Sequence, residues 1–415
     1  MRISLLLQRE PFGRILEETL SRFWSEQLGI RTAVQWHSGR PSRRVFSSGN
    51  QIWLVNYYIN AIFATDAASD VFKPVRKEFS HSLVWWKRPL QKGYVALSSS
   101  QYGSFWLAQA WLTVIPAIDN TENLLIIPGN HKIRILDHRY EQVFSILKTG
   151  FSSHFMQQEI ASRKLAADLH INVPPLTQVA SNGTWFSEYY LIGVPLNRLT
   201  ERAQVRMAEK KAATFLQRLI CSTRQEESLH QYVSRLRSHI LHLITKNHLL
   251  TGELKQNLRN DVEKITQHVL DSSPAIECNL TTSLSHGDFQ PANILVDDDN
   301  VWLIDWEYSD RRQTGYDTLV FLLHSRFPRG LAQRLQTFVA EGMDENMPLF
   351  DILPIEWRSI RNRLLSARIF LLEELDLHLT ENDNSQFFQL GAGLLQLHQE
   401  IEDWLDMEDA IGEKS

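Results

Sequence analysis

Ser285-His286-Gly287-Asp288-Phe289-Gln290-Pro291-Ala292-Asn293-Ile294-Leu295, followed by Leu303-Ile304-Asp305-Trp306-Glu307, decides how this chain is read. An aspartate stands five residues before an asparagine, and a second aspartate closes the next apolar run. A transferred phosphoryl group spreads its charge over several oxygens, so its chemistry is largely positioning plus neutralisation by a metal. Asn293 offers a neutral carbonyl and Asp305 a carboxylate, both suited to Mg²⁺, which takes only one or two protein carboxylates. Asp288 is then left to accept or orient the proton of an attacking hydroxyl. His286 reads as a scaffold residue that bonds loop backbone.

Local structure supports this arrangement. Ile294-Leu295-Val296 and Val301-Trp302-Leu303-Ile304 flank Asp297-Asp298-Asp299-Asn300, which predicts a hairpin. Such a hairpin brings Asn293 and Asp305 to the same end. The acidic turn lacks the Gly and the late Glu of an EF-hand loop, so it reads as a solvated turn.

The His286-Gly287-Asp288 and Asn293 block, with Ile304-Asp305, resembles the aminoglycoside phosphotransferase and choline kinase superfamily. The run Ile304-Asp305-Trp306-Glu307-Tyr308-Ser309, continuing to Gly315-Tyr316-Asp317, is especially similar to the bacterial choline kinase branch. A lone His-Gly-Asp carries little; the Asp–Asn spacing, Pro291, the second strand and Asp317 are specific together. The resemblance implies an α+β, protein-kinase-like bilobal fold, with a β-rich nucleotide lobe and a helical C-terminal lobe. Asp317 is then expected to steady the catalytic loop from the next helix. On this basis 121–195 is the nucleotide lobe and hinge, and 196–410 the helical catalytic lobe with the acceptor pocket. Residues 1–120 are read as an additional N-terminal α/β or α+β domain.

Upstream, Leu124 to Ile127 and Lys132 to Leu136 flank Pro128-Gly129-Asn130, two strands around a tight turn. The resemblance makes this the phosphate-covering hairpin, in which Gly129 alone survives from a Gly-x-Gly-x-x-Gly loop. The strand Val143 to Lys148 ends on the lysine expected to grip the phosphates. Ser152 to Leu169 is helix-like, with Ser152 or Ser153 as cap and Phe155, Ile160, Leu165 and Leu169 apolar. Its Glu159 is expected to form an ion pair with Lys148. Pro174-Pro175 ends this region. Thr184 to Gly193 resembles the last nucleotide-lobe strand and hinge, with backbone of Ser187 and Tyr189 expected to hold adenine. Backbone recognition leaves ATP and GTP as alternatives.

With 415 residues, 43% hydrophobic and 22% charged, the composition is that of a globular chain of two or three lobes. The two cysteines, Cys221 and Cys278, have no metal-ligand spacing and read as buried or incidental thiols. The N-terminal apolar run is too short for a signal peptide, and no apolar run reaches the ~20 residues needed to span a bilayer. A net charge of -5 gives no reason to expect nucleic acid. A cytoplasmic protein is expected. Arg40, Arg43 and Arg44 are left unassigned.

The N-terminal region holds Trp24, Trp36, Trp53, Trp85, Trp86, Trp106 and Trp111, which suit a core or an aromatic ligand platform. Gly13 to Leu28 reads as a helix burying Ile15, Leu16, Leu20, Phe23, Trp24 and Leu28. Gln51 to Phe63 fits a buried helix or a strand pair. After the hinge, amphipathic helical runs dominate and read as the core of one lobe.

The expected function is an ATP- and Mg²⁺-dependent kinase that phosphorylates a hydroxyl of a small molecule. Candidate acceptors are a sugar, an aminoglycoside or aminocyclitol, a choline-like amino alcohol, or an envelope polysaccharide precursor. The alternatives are a nucleotide-binding scaffold that has lost its chemistry, and a protein-modifying kinase of the same fold. Trp306 reads as packing beneath the metal loop, and Arg311, Arg312 and His324 as surface charge. The oligomeric state is not written in the sequence.

Overall fold

A computed structural model describes residues 2–41, 51–79, 85–100, 102–272, 279–298, 300–344, 347–349 and 354–412. The chain divides into two compact units. Unit 1 comprises Met1–Met156 with Pro175–Leu191, and unit 2 Gln157–Pro174 with Ile192–Ser415.

The described residues of unit 1 form nine strands: β1 (Ala33–Ser38), β2 (Gln51–Asn56), β3 (Ala61–Ala64), β4 (Ala110–Ile115), β5 (Leu124–Pro128), β6 (Lys132–Asp137), β7 (Gln142–Leu147), β8 (Leu176–Val179) and β9 (Trp185–Tyr189). They form one antiparallel sheet in the order β1-β4-β2-β3-β5-β6-β7-β9-β8. Its helices are α1 (Ile3–Arg9), α2 (Phe12–Leu28), α3 (Lys73–Phe79), α4 (Arg88–Ser98) and α5 (Gly103–Leu107). Alternation along the strands sorts the side chains between two cores. Trp53, Val55, Ile62, Ile126 and Ile146 join Leu16, Leu20 and Phe23 of α2 on one face. Ile52, Leu54, Phe63, Leu125 and Val143 join Val75 of α3 and Val95 of α4 on the other.

This sheet runs across the expected domain boundary at residue 120. Strands β3 and β5 pair in register, Ile62 with Ile126 and Phe63 with Leu125, so 1–120 is not a body of its own. Both cores likewise draw on residues before and after 120. Gln51 to Phe63 is a strand pair, Trp53 opposite Ala64 through Asn56 opposite Ala61. Burial on both faces had removed the period-2 signal that distinguishes a strand.

Helix α2 buries the expected stripe except Leu28, which is exposed at the last helical position before Gly29 in the left-handed region at φ 66°. Of the tryptophans, Trp24 and Trp53 are buried with centroids 5.6 Å apart, and Trp36 meets Phe12 edge-on at 5.9 Å. Trp111 stacks on His37 at 3.9 Å. Trp86 and Trp106 are exposed, and the Trp85 side chain lies outside the described set, as do Arg43, Arg44 and Cys278. Helix α6 (His154–Asp168) then carries the chain into unit 2; its Phe155 and Ile160 are buried, while Leu165 is exposed.

Unit 2 is helix-rich. It contains α7 (Arg202–Thr223), α8 (Leu229–Lys246), α9 (Gly252–Ser272), α10 (Tyr316–Leu322), α11 (Leu331–Glu341), α12 (Ile360–Glu381) and α13 (Ala392–Gly412). Helices α8 to α13 share one apolar core that includes Ile240, Val262, Leu319, Leu335, Phe370 and Leu397. A second core lies under the loop-bearing strands and includes Leu216, Phe289, Ile294, Leu303 and Trp306. Those strands are β10 (Val194–Pro195), β11 (Gln225–Ser228), β12 (Asn279–Ser285), β13 (Ile294–Asp297), β14 (Asn300–Leu303) and β15 (Asp310–Gln313). They make two small antiparallel sheets, β10-β13-β14 and β11-β12-β15. No described helix is long and apolar enough to cross a membrane.

Candidate active site

In unit 2, strand β12 ends at Ser285 and the chain turns through His286-Gly287-Asp288 before β13 begins. Gly287 adopts φ 84°, and a Cβ there would lie 1.9 Å from Tyr308 O, so only glycine fits. The turn is clamped from α10. Asp317 accepts the His286 amide on Oδ2 at 2.6 Å and the Gly287 amide on Oδ1 at 2.9 Å. Burial pushes the Asp317 carboxyl up, and the two backbone amides it accepts oppose that shift.

His286 spends its ring on backbone. Nε2 donates to Ile304 O at 3.0 Å, and Nδ1 accepts the Asp288 amide at 3.3 Å. One donor and one acceptor define a neutral imidazole, and burial holds its pKa below the ordinary value. Its ring also lies 4.5 Å from that of Trp306, which is fully buried and donates Nε1 to Leu303 O at 3.1 Å.

Strands β13 and β14 form the expected hairpin, pairing Ile294 with Leu303 and Asp297 with Asn300. At its open end Ile304 N donates to Asn293 O at 3.0 Å, which places Asn293 beside the residue preceding Asp305. Asp305 takes φ 66°, a left-handed conformation uncommon outside glycine. Asn293 Nδ2 donates to Asp288 O at 2.9 Å and to Asp288 Oδ2 at 2.6 Å. Both partners are acceptors, so the amide nitrogen must face Asp288 and the carbonyl Oδ1 turns away.

The Asp288 carboxylate has two further donors, neither expected from sequence. Gln290 Nε2 approaches both oxygens at 3.0 and 2.9 Å. Arg326 Nε donates to Oδ1 at 2.7 Å. Arg326 also donates Nη1 to Glu374 Oε2 at 2.8 Å and Nη2 to Gly287 O, and Tyr316 OH donates to the other Glu374 oxygen. Burial works against the Arg326 charge, yet Glu374, Tyr316 and Asp288 raise its pKa well above the ordinary value. Burial would likewise push Glu374 up, but Arg326 leads the groups that hold it below the usual carboxylate value.

Arg312, expected on the surface, is buried. Its Nη1 donates to Ser285 Oγ at 2.7 Å and Tyr308 O at 2.9 Å, with the guanidinium 4.6 Å from the Tyr316 ring. His324 is exposed and Arg311 half-buried.

In unit 1, the β5–β6 turn closes through Gly129 N donating to Lys132 O at 2.9 Å. That amide is spent on the turn. A Cβ at Gly129 would lie 2.9 Å from the same carbonyl, so close backbone approach accounts for the glycine. Lys148 is fully buried and donates to Glu10 Oε1 at 2.6 Å and Asn130 O at 2.7 Å. The Phe151 and Phe12 ring centroids lie 5.1 and 5.7 Å from its ammonium. Glu10 is a carboxylate that the sequence reading did not name, supplied by the link between α1 and α2. Burial pushes its pKa up against the opposing charge of Lys148. Glu159 belongs to unit 2, where it is buried with Arg163 Nη1 at 3.9 Å.

Both residues expected to face adenine lie on β9. Ser187 sits inside the sheet, opposite Phe144 of β7 and Gln178 of β8, and Tyr189 N donates to Pro175 O at 3.2 Å. A strand paired on both sides commits its backbone groups to the ladder. Unit 1 ends at Leu191. Cys221, expected to be buried or incidental, is an exposed free thiol.

The sequence profile of the phosphotransferase enzyme family matches residues 152–353. That segment belongs to the phosphotransferase enzyme family. The phosphotransferase segment thus holds the clamped loop, the hairpin, Asp317 and Arg326, as well as Glu159. Among solved structures, the chain is similar to choline kinase LicA from Streptococcus pneumoniae, at 17% identity and a TM-score of 0.42 over 70% of this chain and 92% of that one. It is also similar to a choline/ethanolamine kinase family protein from Mesorhizobium loti, at 14% identity and 0.42 over 76% and 94%. A third similar structure is a thermostable mutant of aminoglycoside phosphotransferase APH(4)-Ia, at 13% identity and 0.44 over 69% and 94%. No curated protein sequence matches the chain.

Proposed function

We propose that the protein is an ATP- and Mg²⁺-dependent phosphotransferase that phosphorylates a hydroxyl group of a small molecule. The acceptor classes are a sugar, an aminoglycoside or aminocyclitol, a choline-like amino alcohol, or an envelope polysaccharide precursor. The observation that carries this reading is the Asp288–Asn293 contact. It holds a carboxylate at the tip of a clamped loop and turns an amide oxygen away from it. Asn293 Oδ1 and the Asp305 carboxylate fit a hard cation such as Mg²⁺, which when bound would neutralise phosphate charge.

In this reading Asp288 orients the acceptor hydroxyl and takes its proton. His286 and Asp317 fix the loop that presents it. Lys148, held by Glu10 and Asn130 in unit 1, is assigned to the nucleotide phosphates, with Gly129 shaping the neighbouring turn and Glu159 supplying a further carboxylate. We place the protein in the cytoplasm.

The test is incubation with γ-labelled ATP, Mg²⁺ and pooled sugars, amino alcohols and aminoglycosides, with the labelled product identified by mass. Asp288→Asn should lower turnover by on the order of 100-fold or more while ATP affinity is retained. Turnover equal to that of the unaltered chain would remove Asp288 from the chemistry. Label appearing on protein would favour the protein-modifying alternative.

A further inference from the structure

Helices α9 and α13 of unit 2 bring together three ligand-type side chains that the phosphotransferase reading does not use. His398 and Glu402 stand one turn apart on α13 and so share a face, and Asp261 reaches them from α9. His398 Nε2 lies 3.2 Å from Asp261 Oδ2 and 3.8 Å from Glu402 Oε1. One ligand atom from each residue falls within 4.8 Å of the other two.

His398 is 8% exposed as a residue, and its buried Nε2 has the Asp261 carboxylate as an ion-pair partner. Asp261 Oδ2 is buried as well. His398 Nε2 and Asp261 Oδ2 are therefore paired at ion-pair distance, the carboxylate raising the His398 pKa, and with Glu402 they present three ligand atoms to one point between the helices.

We propose that Asp261, His398 and Glu402 form a divalent transition-metal site that braces α9 against α13. One nitrogen and two carboxylate oxygens suit Zn²⁺ and its neighbours better than Mg²⁺ or Ca²⁺, which favour all-oxygen shells. Bonds of about 2.0 to 2.2 Å would set ligand atoms roughly 3 to 3.5 Å apart. The Asp261–His398 separation already meets this. Glu402, whose side chain is 38% exposed, is free to close the remainder by rotation. Solvent would complete the coordination.

The experiment titrates the full, untagged chain with Zn²⁺ after EDTA treatment, in excess Mg²⁺. One Zn²⁺ equivalent is expected in the unaltered protein and in Asp305→Asn, and is lost in His398→Gln and Asp261→Asn. Zn²⁺ should also raise the melting temperature of the unaltered protein and leave both of those variants unmoved. If either variant fails to fold, Glu402→Gln, altered at the most exposed ligand, gives the same readout through at least a tenfold weaker uptake. No uptake by the unaltered chain, or uptake unchanged in these variants, overturns the proposal and leaves an ion pair. Loss of the equivalent in Asp305→Asn alone would assign the Zn²⁺ to the phosphotransferase residues instead.

Discussion

Arg326 donates Nε to Asp288 at 2.7 Å and Nη1 to Glu374 at 2.8 Å, so one guanidinium ties the carboxylate assigned as base to helix α12. Its side chain is 13% exposed, and that of Glu374 is fully buried. Removing the cation would leave two carboxylates facing each other in a low-dielectric interior. Arg326→Met is therefore expected to lower the unfolding free energy by about 3 kcal/mol and to reduce turnover. Arg326→Lys, which keeps the charge but not the planar fork, should recover stability better than turnover. Denaturant melts and steady-state rates on both variants check this. A loss below about 1 kcal/mol with normal turnover would show the contact to be incidental.

Lys148 and Glu10 form a fully buried ion pair within unit 1. Glu10→Gln retains an acceptor for the ammonium but deletes its countercharge. It is expected to destabilise the protein by about 3 kcal/mol and to weaken ATP binding. Thermal melts and nucleotide titration measure the two effects. Unaltered ATP affinity in a folded Glu10→Gln protein would argue that Glu10 serves packing alone.

Gly287→Ala adds a methyl where Tyr308 O stands 1.9 Å away, on a residue at φ 84°. The loop must shift, and a displacement near 1 Å at a reacting group costs on the order of 100-fold in rate. Turnover is expected to fall by that factor while far-ultraviolet circular dichroism stays unchanged. Full activity would mean that the loop tolerates another path.

Burial pushes the Glu373 carboxyl up to about 7, although Gln313 donates to it from N at 2.7 Å and from Nε2 at 3.0 Å. The folded state thus holds this proton more tightly than the unfolded chain does. The resulting stabilisation is complete below the unfolded value of 4.5 and is lost as pH rises to about 7. The stability of the unaltered protein relative to Glu373→Gln should fall by about 3 kcal/mol across that window. Denaturant melts between these pH values read it, and a flat difference would contradict the shift.

Much of unit 2 was legible in the sequence because its signals are local. Asp288 stands five residues before Asn293, the hairpin follows from two apolar runs around an acidic turn, and Asp317, 31 residues beyond His286, came from the family resemblance. Arg326 and Glu374 were not legible. They reach Asp288 and each other across 38 and 48 residues, and no periodicity marks them. Glu10 meets Lys148 across 138 residues. The boundary at residue 120 failed for a related reason. It rested on where a family lobe begins, whereas β3–β5 pairing joins segments whose patterns gave no hint of partnership. At Ser187 and Tyr189 the strand was recognised correctly, but which backbone groups a sheet consumes depends on its neighbours.

The β3–β5 ladder also determines how this protein can be dissected. A chain begun at residue 121 would open β5 along a raw edge, strip the apolar cover supplied by α2, and strand the Lys148 ammonium in a dry pocket with no Glu10. Unit 1 is therefore not divisible at residue 120, and trimming the chain there would be felt first as aggregation.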